Sequence, residues 1–391
     1  MGDMRALIPE RSVWPVITLL VVIALVACGL WPITSAKTDY NGVEELASGT
    51  TSRLQSVSWN PCTSEALMVG VGGTILRYSN TSIIQVQSGT TMELKSVAWS
   101  PDCTQALIVG GSGLVLRYKN GNVTSLSSGT TSLLQDVAWT KDGKAVIAAG
   151  TTGILWYDGT HFTMQALPVA GIEIFGLAWK PDGDFGIAVG QKLSVFKFSS
   201  TGIEQIESPL GPAADISFYK ASWRPDGSEV TIVGQKGTVV EWNELTYTAM
   251  TSGGGGAVIT FLDVDWRSDG DFALICGDTG TLIAYRGEND WPYTPTKEVL
   301  GLLYGLEWSA DGKTALIVGN NGAVLRYPGK TKAGEATYNP AILVLIVVIV
   351  IAFMIGVVLI YRQDREVRDD EDRTHRHKRS IRHGKRHRRR H

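Results

Sequence analysis

The chain has 391 residues, which is enough for two or three domains. Its 36 lysine and arginine residues nearly balance 38 aspartate and glutamate residues, yet much of the basic charge is concentrated at the C-terminal end. Five of the six histidines also lie there, so His161 is the only histidine in the rest of the chain. This distribution argues against a Ser-His-Asp site and against a Cys/His metal site in the body of the protein.

The N-terminal segment predicts a membrane anchor. Residues 1–11 are short and of mixed charge, whereas residues 12–36 contain no charged side chain. A spanning helix needs about 20 apolar residues, and Trp14 and Trp31 stand near the two ends, where interfacial anchors are common. We therefore expect an uncleaved transmembrane helix. The alternatives are lipoprotein processing at Cys28 or signal-peptidase cleavage after residues 34–36.

Residues 37–329 contain a motif that occurs seven times. A glycine follows its anchoring tryptophan after eleven residues, and a second glycine follows after fourteen in every repeat except the fourth, which has Leu193. An aromatic residue comes after nineteen, except in the third repeat, where Tyr157 comes one residue early. A period of about 40 to 45 residues built from short apolar runs indicates β-propeller blades. The tryptophans are Trp59, Trp99, Trp139, Trp179, Trp223, Trp266 and Trp308.

We predict an all-β protein, a seven-bladed β-propeller of four-stranded blades, flanked by two transmembrane α-helices and a disordered basic tail. In each repeat, strand a ends at the tryptophan, strand b ends at the first glycine, and strand c carries the aromatic residue. Strand d is more polar and fits the outer edge of the blade. A β-sandwich of many short strands is the alternative, but it does not explain seven copies in phase.

The repeats also predict how the ring closes. After Tyr327 the chain runs towards the second hydrophobic segment, so the seventh repeat lacks a strand d. Residues 43–51 parallel residues 123–131, which form strand d and the following loop of the second repeat. We expect the N-terminal segment to complete the last blade. Both chain ends would then leave from the face that carries the a–b and c–d turns, while the opposite face would be open to partners.

Some turns and strands resemble those of known propeller families. Trp-Ser-Pro-Asp at 99–102 and Pro-Asp-Gly at 181–183 and 225–227 resemble WD-type and TolB-type repeats. Val-Gly-x-x-Gly-x-Val-Leu-Arg-Tyr at 109–118 is similar to the repeats of photosystem II assembly-factor propellers. The resemblance covers residues 43–327 and implies the fold. It carries over no catalytic or ligand-binding residue, because propellers bind many unrelated molecules.

Two groups of residues are candidate sites. The turns and loops of the open face are candidates for partner binding, with solvated turns as the alternative. Strand a should line a central channel, where carboxylates could hold a cation through oxygen ligands. We favour the alternative that Lys220 and channel water satisfy these carboxylates. The partner-binding candidates are Gln191, Lys192, Gln235, Lys236, Asp278, Asn320 and Asn321, and the channel-cation candidates are Asp136, Asp263, Asp265 and Glu307.

Modification and redox chemistry leave weaker signals. Asn80 and Asn122 begin Asn-x-Ser/Thr sequences and are glycosylation candidates that suit an external domain. Cys62 and Cys103 occupy the a–b turns of adjacent repeats. A disulfide needs Cα atoms within about 7 Å of each other. Because neighbouring turns are often farther apart, we expect no bridge, and no motif indicates a cofactor or a metal site.

The C-terminal part predicts a second anchor. After the polar linker 330–340, residues 341–361 are 21 uncharged residues dominated by Val, Ile and Leu, and they should form a transmembrane helix. Residues 362–391 hold 13 lysine and arginine residues, so the positive-inside rule places both termini in the cytoplasm and the propeller outside the cell membrane. The tail should contact anionic lipid. The alternatives are nucleic acid, which the lack of interleaved aromatic residues disfavours, and a metal bound through the tail histidines. The expected lipid contacts are Arg376, Lys378, Arg379, Lys385 and Arg386.

These features predict a membrane-anchored extracytoplasmic propeller that is not an enzyme. Its expected role is that of a protein- or glycan-binding interaction or assembly scaffold. The alternatives are a transmembrane sensor that couples an external ligand to the basic tail, and a hydrolase or lyase that uses the channel carboxylates.

Overall fold

The computed structural model describes residues 43–79, 81–207, 210, 216–251, 259–287 and 301–329, together with positions 362 and 365. The predicted spans 12–36 and 341–361, the candidate Asn80 and the proposed lipid contacts of the tail lie outside these residues. No helix in the described part of the chain is both long enough and apolar enough to cross a membrane.

The described strands form seven antiparallel sheets, one for each repeat. The first strand, β1 (Glu44–Glu45), belongs to blade 7, and blade 1 contains β2 (Leu54–Trp59), β3 (Ala66–Gly70), β4 (Ile75–Ser79) and β5 (Ser82–Val86). Blade 2 contains β6 (Leu94–Trp99), β7 (Ala106–Gly110), β8 (Val115–Lys119) and β9 (Asn122–Leu126). Blade 3 contains β10 (Asp136–Trp139), β11 (Ala145–Ala148), β12 (Gly153–Tyr157) and β13 (Phe162–Ala166).

The remaining blades follow the same order. Blade 4 contains β14 (Ile174–Trp179), β15 (Gly186–Gly190), β16 (Val195–Ser199) and β17 (Gly202–Ile206). Blade 5 contains β18 (Phe218–Trp223), β19 (Val230–Gly234), β20 (Thr238–Trp242) and β21 (Tyr247–Thr251). Blade 6 shows β22 (Phe261–Trp266), β23 (Ala273–Gly277) and β24 (Leu282–Tyr285), and blade 7 contains β25 (Leu303–Trp308), β26 (Thr314–Gly319) and β27 (Val324–Pro328). The predicted seven-bladed propeller is confirmed, although the described part of blade 6 has three strands instead of four.

Six of the b–c turns are single 3₁₀ turns, which cover Val71–Gly73, Gly111–Gly113, Gln191–Leu193, Gln235–Gly237, Asp278–Gly280 and Asn320–Gly322. Blade 3 has no such 3₁₀ turn between β11 and β12. Tyr157 comes one residue early because the a–b turn of blade 3 is one residue shorter. Trp139 pairs with Ala145, six residues on, whereas Trp59 pairs with Ala66, seven residues on.

The strands of type a form the inner ring. Each contacts the strand a of the next blade, and β25 contacts β2, so the ring is closed. The core lies between blades, where the faces of adjacent sheets pack on each other. At the junction of blades 7 and 1, for example, Leu54 and Trp59 pack with Leu316 and Val318 in one fully apolar layer.

The repeated tryptophan bridges neighbouring blades. The indole N–H groups of Trp59, Trp139 and Trp223 donate to main-chain carbonyl groups of the preceding blade, at 3.0, 3.0 and 3.3 Å. The Trp59 ring also makes an edge-to-face contact with Tyr78, with centroids 5.5 Å apart. The spacing of nineteen residues in the motif therefore reflects an aromatic pair that recurs in blades 1, 2 and 4 to 7.

The N-terminal strand closes the ring as predicted. Strand β1 pairs antiparallel with β27, with Glu44 opposite Arg326 and Glu45 opposite Leu325. The Leu46 N–H donates to the Val324 carbonyl oxygen at 2.8 Å, which extends the pairing by one bond. Because β1 begins where β27 ends, both chain ends leave the propeller from the face of the a–b and c–d turns.

The cysteine prediction is wrong. Cys62 and Cys103 form a disulfide, with their Cα atoms 5.9 Å apart. Strands a and b are the two innermost strands, where the blades converge on the axis. The a–b turns of adjacent blades are therefore closer together than turns at the periphery. The Asn60 side-chain amide donates to the Cys103 carbonyl oxygen at 3.2 Å and joins the same two turns.

Candidate functional site

All seven predicted partner-binding residues lie on the open face, in the b–c turns of blades 4 to 7. Two of them have internal partners. The Gln191 amide oxygen accepts the Glu173 main-chain N–H at 3.4 Å, and the Gln235 amide oxygen accepts the Ser217 main-chain N–H at 2.9 Å. Both glutamines therefore cap the loop that leads into strand a of their own blade.

The tips of these turns are more accessible. Lys192, Lys236 and Asn321 are exposed and adopt a positive φ of 56°. Asp278 and Asn320, one residue earlier in their turns, are only half-exposed, and their main-chain groups close the turns by accepting the Thr281 and Ala323 N–H groups at 3.0 Å. Within this group, the two lysines and Asn321 are the side chains that a partner could reach most directly.

A cavity of about 300 Å³ opens at the mouth of the central channel on the same face. Each blade contributes the residue that stands four positions before its tryptophan. These residues, which we call the mouth ring, are Gln55, Lys95, Gln135, Phe175, Tyr219, Leu262 and Tyr304. The predicted channel residues Asp136, Asp263, Asp265 and Glu307 stand one or three positions before their tryptophans, so the mouth ring was not predicted. The same repeat spacing, read one position further, would have found it.

One side of the mouth ring is charged but internally neutralised. The Glu93 carboxylate accepts hydrogen bonds from Arg53 and Lys95 at 2.7 and 3.2 Å, and another from the Gln55 amide. Burial raises the pKa of Glu93, but attraction to Lys95 and these hydrogen bonds outweigh it and leave the pKa lowered. The Arg53 guanidinium lies 5.3 Å from the centroid of the Tyr304 ring. This side therefore presents an aromatic ring and paired charges.

The other side of the mouth ring is amide and aromatic. The Gln135 amide donates to Glu173 at 2.7 Å, and the rings of Phe175 and Tyr219 lie 5.4 Å apart. The Tyr219 hydroxyl accepts a hydrogen bond from the Gln235 amide at 3.0 Å. Apolar bodies with a few fixed polar groups are typical of ligand-binding cavities.

Exposed apolar side chains also lie on the open face. Met92, Leu133 and Val169 are each 36–37% exposed and occupy the d–a loops between blades 1 and 4. They are three of the five large hydrophobic residues that are exposed in the described part of the chain. We call these three residues the apolar arc. It gives the open face an apolar sector of the kind that suits a protein partner.

The channel carboxylates have partners that the sequence did not predict. The carboxylates of Asp263, Asp265 and Glu307 accept the main-chain N–H groups of Leu306, Trp308 and Trp59 at 2.8, 2.9 and 2.7 Å. Each of these bonds runs from one blade to strand a of the next. Strand a is the inner edge of its sheet, so these N–H groups have no strand partner. The carboxylates therefore join the blades along the channel.

Asp136 follows the same rule with one addition. It accepts the Leu177 main-chain N–H at 2.9 Å, the Ser96 hydroxyl at 2.6 Å and the Lys220 ammonium at 2.7 Å. Burial lowers the pKa of Lys220, but attraction to Asp136 and Asp263 outweighs it, and the pKa is raised. Lys220 thus pairs with a channel carboxylate, and main-chain N–H groups supply most of the other bonds.

Burial changes the acidity of the remaining channel carboxylates. It raises the pKa of Asp263 to about 7 and that of Asp265 to about 6. Burial and the nearby Asp265 charge also raise the pKa of Glu307. No group of three or more His, Cys, Asp or Glu side chains within the described ranges could hold a metal ion. The proposal that these four carboxylates hold a cation has no support from this geometry and stays a prediction.

His161, the one histidine of the sequence outside the basic tail, is exposed in the turn before β13. Its ring contacts the Thr160 hydroxyl at 2.9 Å, and its main-chain N–H donates to Asp158 at 2.7 Å. These contacts are local turn contacts on the outer part of the blade. The structure does not bring His161 to the mouth ring or to the channel carboxylates.

Comparison with known proteins shows which solved structures share this fold. No protein-family model and no curated protein matches the chain. Among solved structures, YCF48 bound to a D1 peptide matches with a TM-score of 0.61 and 17% identity, covering 76% of this chain and 98% of that one. YCF48 from Cyanidioschyzon merolae matches with a TM-score of 0.60 and 13% identity, covering 74% and 100%. At these identities the likeness concerns the fold, and it confirms the resemblance to photosystem II assembly-factor propellers at that level.

Proposed function

We propose that this protein is a membrane-anchored, non-catalytic scaffold that binds a protein partner on its open face. The observation that carries this proposal is the cavity of about 300 Å³ to which every blade contributes a mouth-ring residue, with the apolar arc on the same face. A cavity of this size holds one or two side chains, so an extended segment of a partner could insert a residue there and cover the arc.

The chemistry of the face favours a peptide segment over a small charged ligand. Arg53 and Lys95 are already paired with Glu93, and Asp136 is paired with Lys220, so little unpaired charge is offered to an ion. The amides of Gln55 and Gln135 beside aromatic rings suit a main chain and uncharged side chains. The solved YCF48 structure with a D1 peptide supports a protein ligand for a propeller of this architecture.

The membrane part of the proposal has separate support. Residues 12–36 and 341–361 are long uncharged stretches, and the propeller ends to which they connect lie on one face. The Cys62–Cys103 disulfide suits an oxidising compartment outside the cytoplasm. Asn122, which is exposed at the start of β9, suits the same location. We place the propeller outside the cell membrane and the basic tail against anionic lipid inside.

Site-specific photo-crosslinking in intact membranes tests the binding face. A photoreactive residue replaces Leu133 in the apolar arc of the full chain, and the matched control replaces Ile84, which is 50% exposed on the outer strand β5. We expect a defined crosslinked protein from position 133, which is lost when Met92→Asp is added, and none from position 84. Equal crosslinking at both positions, or insensitivity to Met92→Asp, would overturn the proposal.

A further inference from the structure

The c–d hairpin of blade 5 carries the most exposed large hydrophobic side chain among the described residues. Leu245 is 90% exposed, whereas the other exposed large hydrophobic residues are 36–50% exposed. Single exposed apolar residues are common on protein surfaces. Leu245 differs from such residues in two ways. Hydrogen bonds fix the hairpin tip that exposes it, and it lies on the face from which the chain ends leave.

Hydrogen bonds hold the hairpin tip. The Asn243 side-chain oxygen accepts the main-chain N–H groups of Leu245 and Thr246 at 3.1 and 2.8 Å, and the Thr246 hydroxyl at 3.0 Å. Glu244 takes a positive φ of 71°, and its carboxylate pairs with Lys180 on blade 4. The tip is therefore held in one conformation, in which Glu244 pairs with Lys180 and the Leu245 side chain lies in solvent.

The hairpin lies on the face from which both chain ends leave. In blade 7 the position of the c–d turn is taken by the end of β27 and the start of β1. Only residues 37–42 and 330–340 separate the described propeller from the two uncharged stretches. At about 3.3–3.6 Å per residue, these linkers reach at most roughly 40 Å. The equivalent turns of blades 2 and 4 carry polar residues, such as Asn120 and Thr201.

A groove of about 530 Å³ adjoins the hairpin. Trp242 and Tyr247 stack at its base, with centroids 5.9 Å apart and ring planes 28° apart. Its charged lining comprises one lysine and three glutamates, namely Lys197, Glu204, Glu207 and Glu244. An acidic rim repels the phosphates of anionic lipids, whereas aromatic rings and carboxylates attract an ammonium group.

We propose that Leu245 inserts into the surface of the bilayer that anchors the chain, and that the groove beside it receives the ammonium head groups of zwitterionic lipids. The inference rests on the membrane attachment proposed above. Burying one leucine side chain favours the docked state by roughly tenfold or more. That gain suffices for a domain that the two linkers already hold near the surface, since tethering makes the docking intramolecular.

The test uses the full chain in phosphatidylcholine vesicles that contain a nitroxide-labelled lipid. A bimane fluorophore is attached at Leu245→Cys in a Cys28→Ser background. The controls are Thr201→Cys, on the same face at blade 4, and Lys192→Cys, on the opposite face. We expect nitroxide quenching at position 245 to be at least threefold stronger than at 201, to be absent at 192, and to weaken when phosphatidylglycerol replaces phosphatidylcholine.

The outcomes separate this inference from the proposed function. If the chain inserts into the vesicles but positions 245 and 201 are quenched equally, the docking of Leu245 is overturned while the anchoring stands. If quenching at 245 strengthens with phosphatidylglycerol, the zwitterionic preference is overturned. If the chain does not insert into the vesicles at all, the anchoring fails and the inference fails with it.

Discussion

Two adjacent glycines of blade 1 share the same backbone conformation but differ in their steric surroundings. Gly72 and Gly73 have positive φ angles of 70° and 71°. A Cβ atom at Gly72 would meet nothing within 4 Å, whereas a Cβ atom at Gly73 would overlap the Thr90 carbonyl oxygen of the next loop. The same overlap would occur at Gly322 with Thr50, so the N-terminal segment reproduces at the closure the contact found between internal blades.

This pair gives the first prediction. We expect Gly72→Ala to lower the free energy of unfolding by about 1 kcal/mol, because it forces alanine into the left-handed region. We expect Gly73→Ala to cost at least ~2 kcal/mol more, because the loop must also move. Chemical denaturation of the two variants measures the difference. Equal losses would show that the contact with Thr90 does not matter.

The channel carboxylates give a prediction for pH. The folded chain holds a proton at Asp263 with a pKa of about 7, above the ordinary value of 3.8. The folded state therefore binds more protons than the unfolded state between pH 4 and 7. As far as this residue is concerned, stability rises as the pH falls through that window.

We expect Asp263→Asn to flatten the dependence of the free energy of unfolding on pH between pH 5 and 7, by up to ~1.4 kcal/mol per pH unit. Thermal unfolding at several pH values measures the slope. The control is Asp158→Asn, because turn hydrogen bonds lower the pKa of exposed Asp158 to about 2. Its titration lies below the measured window, so its slope should match that of the unchanged protein.

The structural roles of residues that recur in every repeat could be predicted from the sequence. Trp59 and its equivalents, and glycines such as Gly73, recur because every blade repeats the same contacts. The partners of Asp263 and Glu307 were not predicted, because they are main-chain N–H groups that carry no residue identity. Leu193 shows the same limit, since it takes a φ of 57° at a position where the six other repeats have glycine.

At the scale of elements, closure depends on a very short strand. Strand β1 contributes two residues and is extended by the Leu46 N–H, which donates to Val324. Leu46 also packs against the core layer between blades 7 and 1. The Glu44–Arg326 ion pair is exposed, and such pairs contribute at most about 1 kcal/mol.

We expect Leu46→Pro to lower the free energy of unfolding by ~1–3 kcal/mol, because it removes the donor and leaves the Val324 carbonyl oxygen without it. Hydrogen exchange should accelerate in β27 before it does in the strands of blades 3 and 4. Glu45→Ala, at an exposed neighbouring position, is the control and should change neither measurement. Unaltered exchange in β27 of the proline variant would contradict the assigned role of β1.

The disulfide joins blades 1 and 2 at their inner turns. We expect Cys62→Ser to cost about 2–4 kcal/mol of stability, because the bridge closes a loop of about 40 residues. A reducing agent should lower the melting temperature of the unchanged protein to that of the variant and should leave the variant unaffected. A reducing agent without effect on the unchanged protein would show that the bridge contributes nothing.

The role of β1 could be predicted from a count of strands. The seventh repeat lacks a strand d, and a sequence of the strand d type precedes the first repeat. The distance between two a–b turns could not be predicted, since it depends on how closely the blades converge on the axis. Sequence spacing gives 41 residues between Cys62 and Cys103 but no measure of that convergence.

At the scale of the whole molecule, charge is divided along the chain. Residues 38–329 hold 29 acidic and 18 basic side chains, whereas residues 362–391 hold six acidic and 13 basic ones. Basic segments next to a span are retained in the cytoplasm, and acidic ones have little influence on orientation. This division of charge supports the proposed orientation, in which the propeller is outside the membrane and the tail is inside.

Thiol labelling in intact cells tests this orientation. In a Cys28→Ser background, we expect Lys192→Cys to react with a membrane-impermeant maleimide because Lys192 is exposed on the open face. We expect Ser380→Cys, in the tail, to react only after the cells are permeabilised. Labelling of position 380 in intact cells would reverse the proposed orientation.

The junction of β1 with β27 means that residues 43 and 329 flank a gap that an ordinary hairpin turn fills in blades 1 to 5. The position of the chain termini alone therefore decides which blade is counted as the first. A short peptide joining 329 to 43, with new termini opened between 200 and 201, would give a circular permutant with the same ring. If the proposed membrane anchors were joined to the new termini, they would meet the propeller at blade 4 instead of blade 7, and the mouth ring would be unchanged.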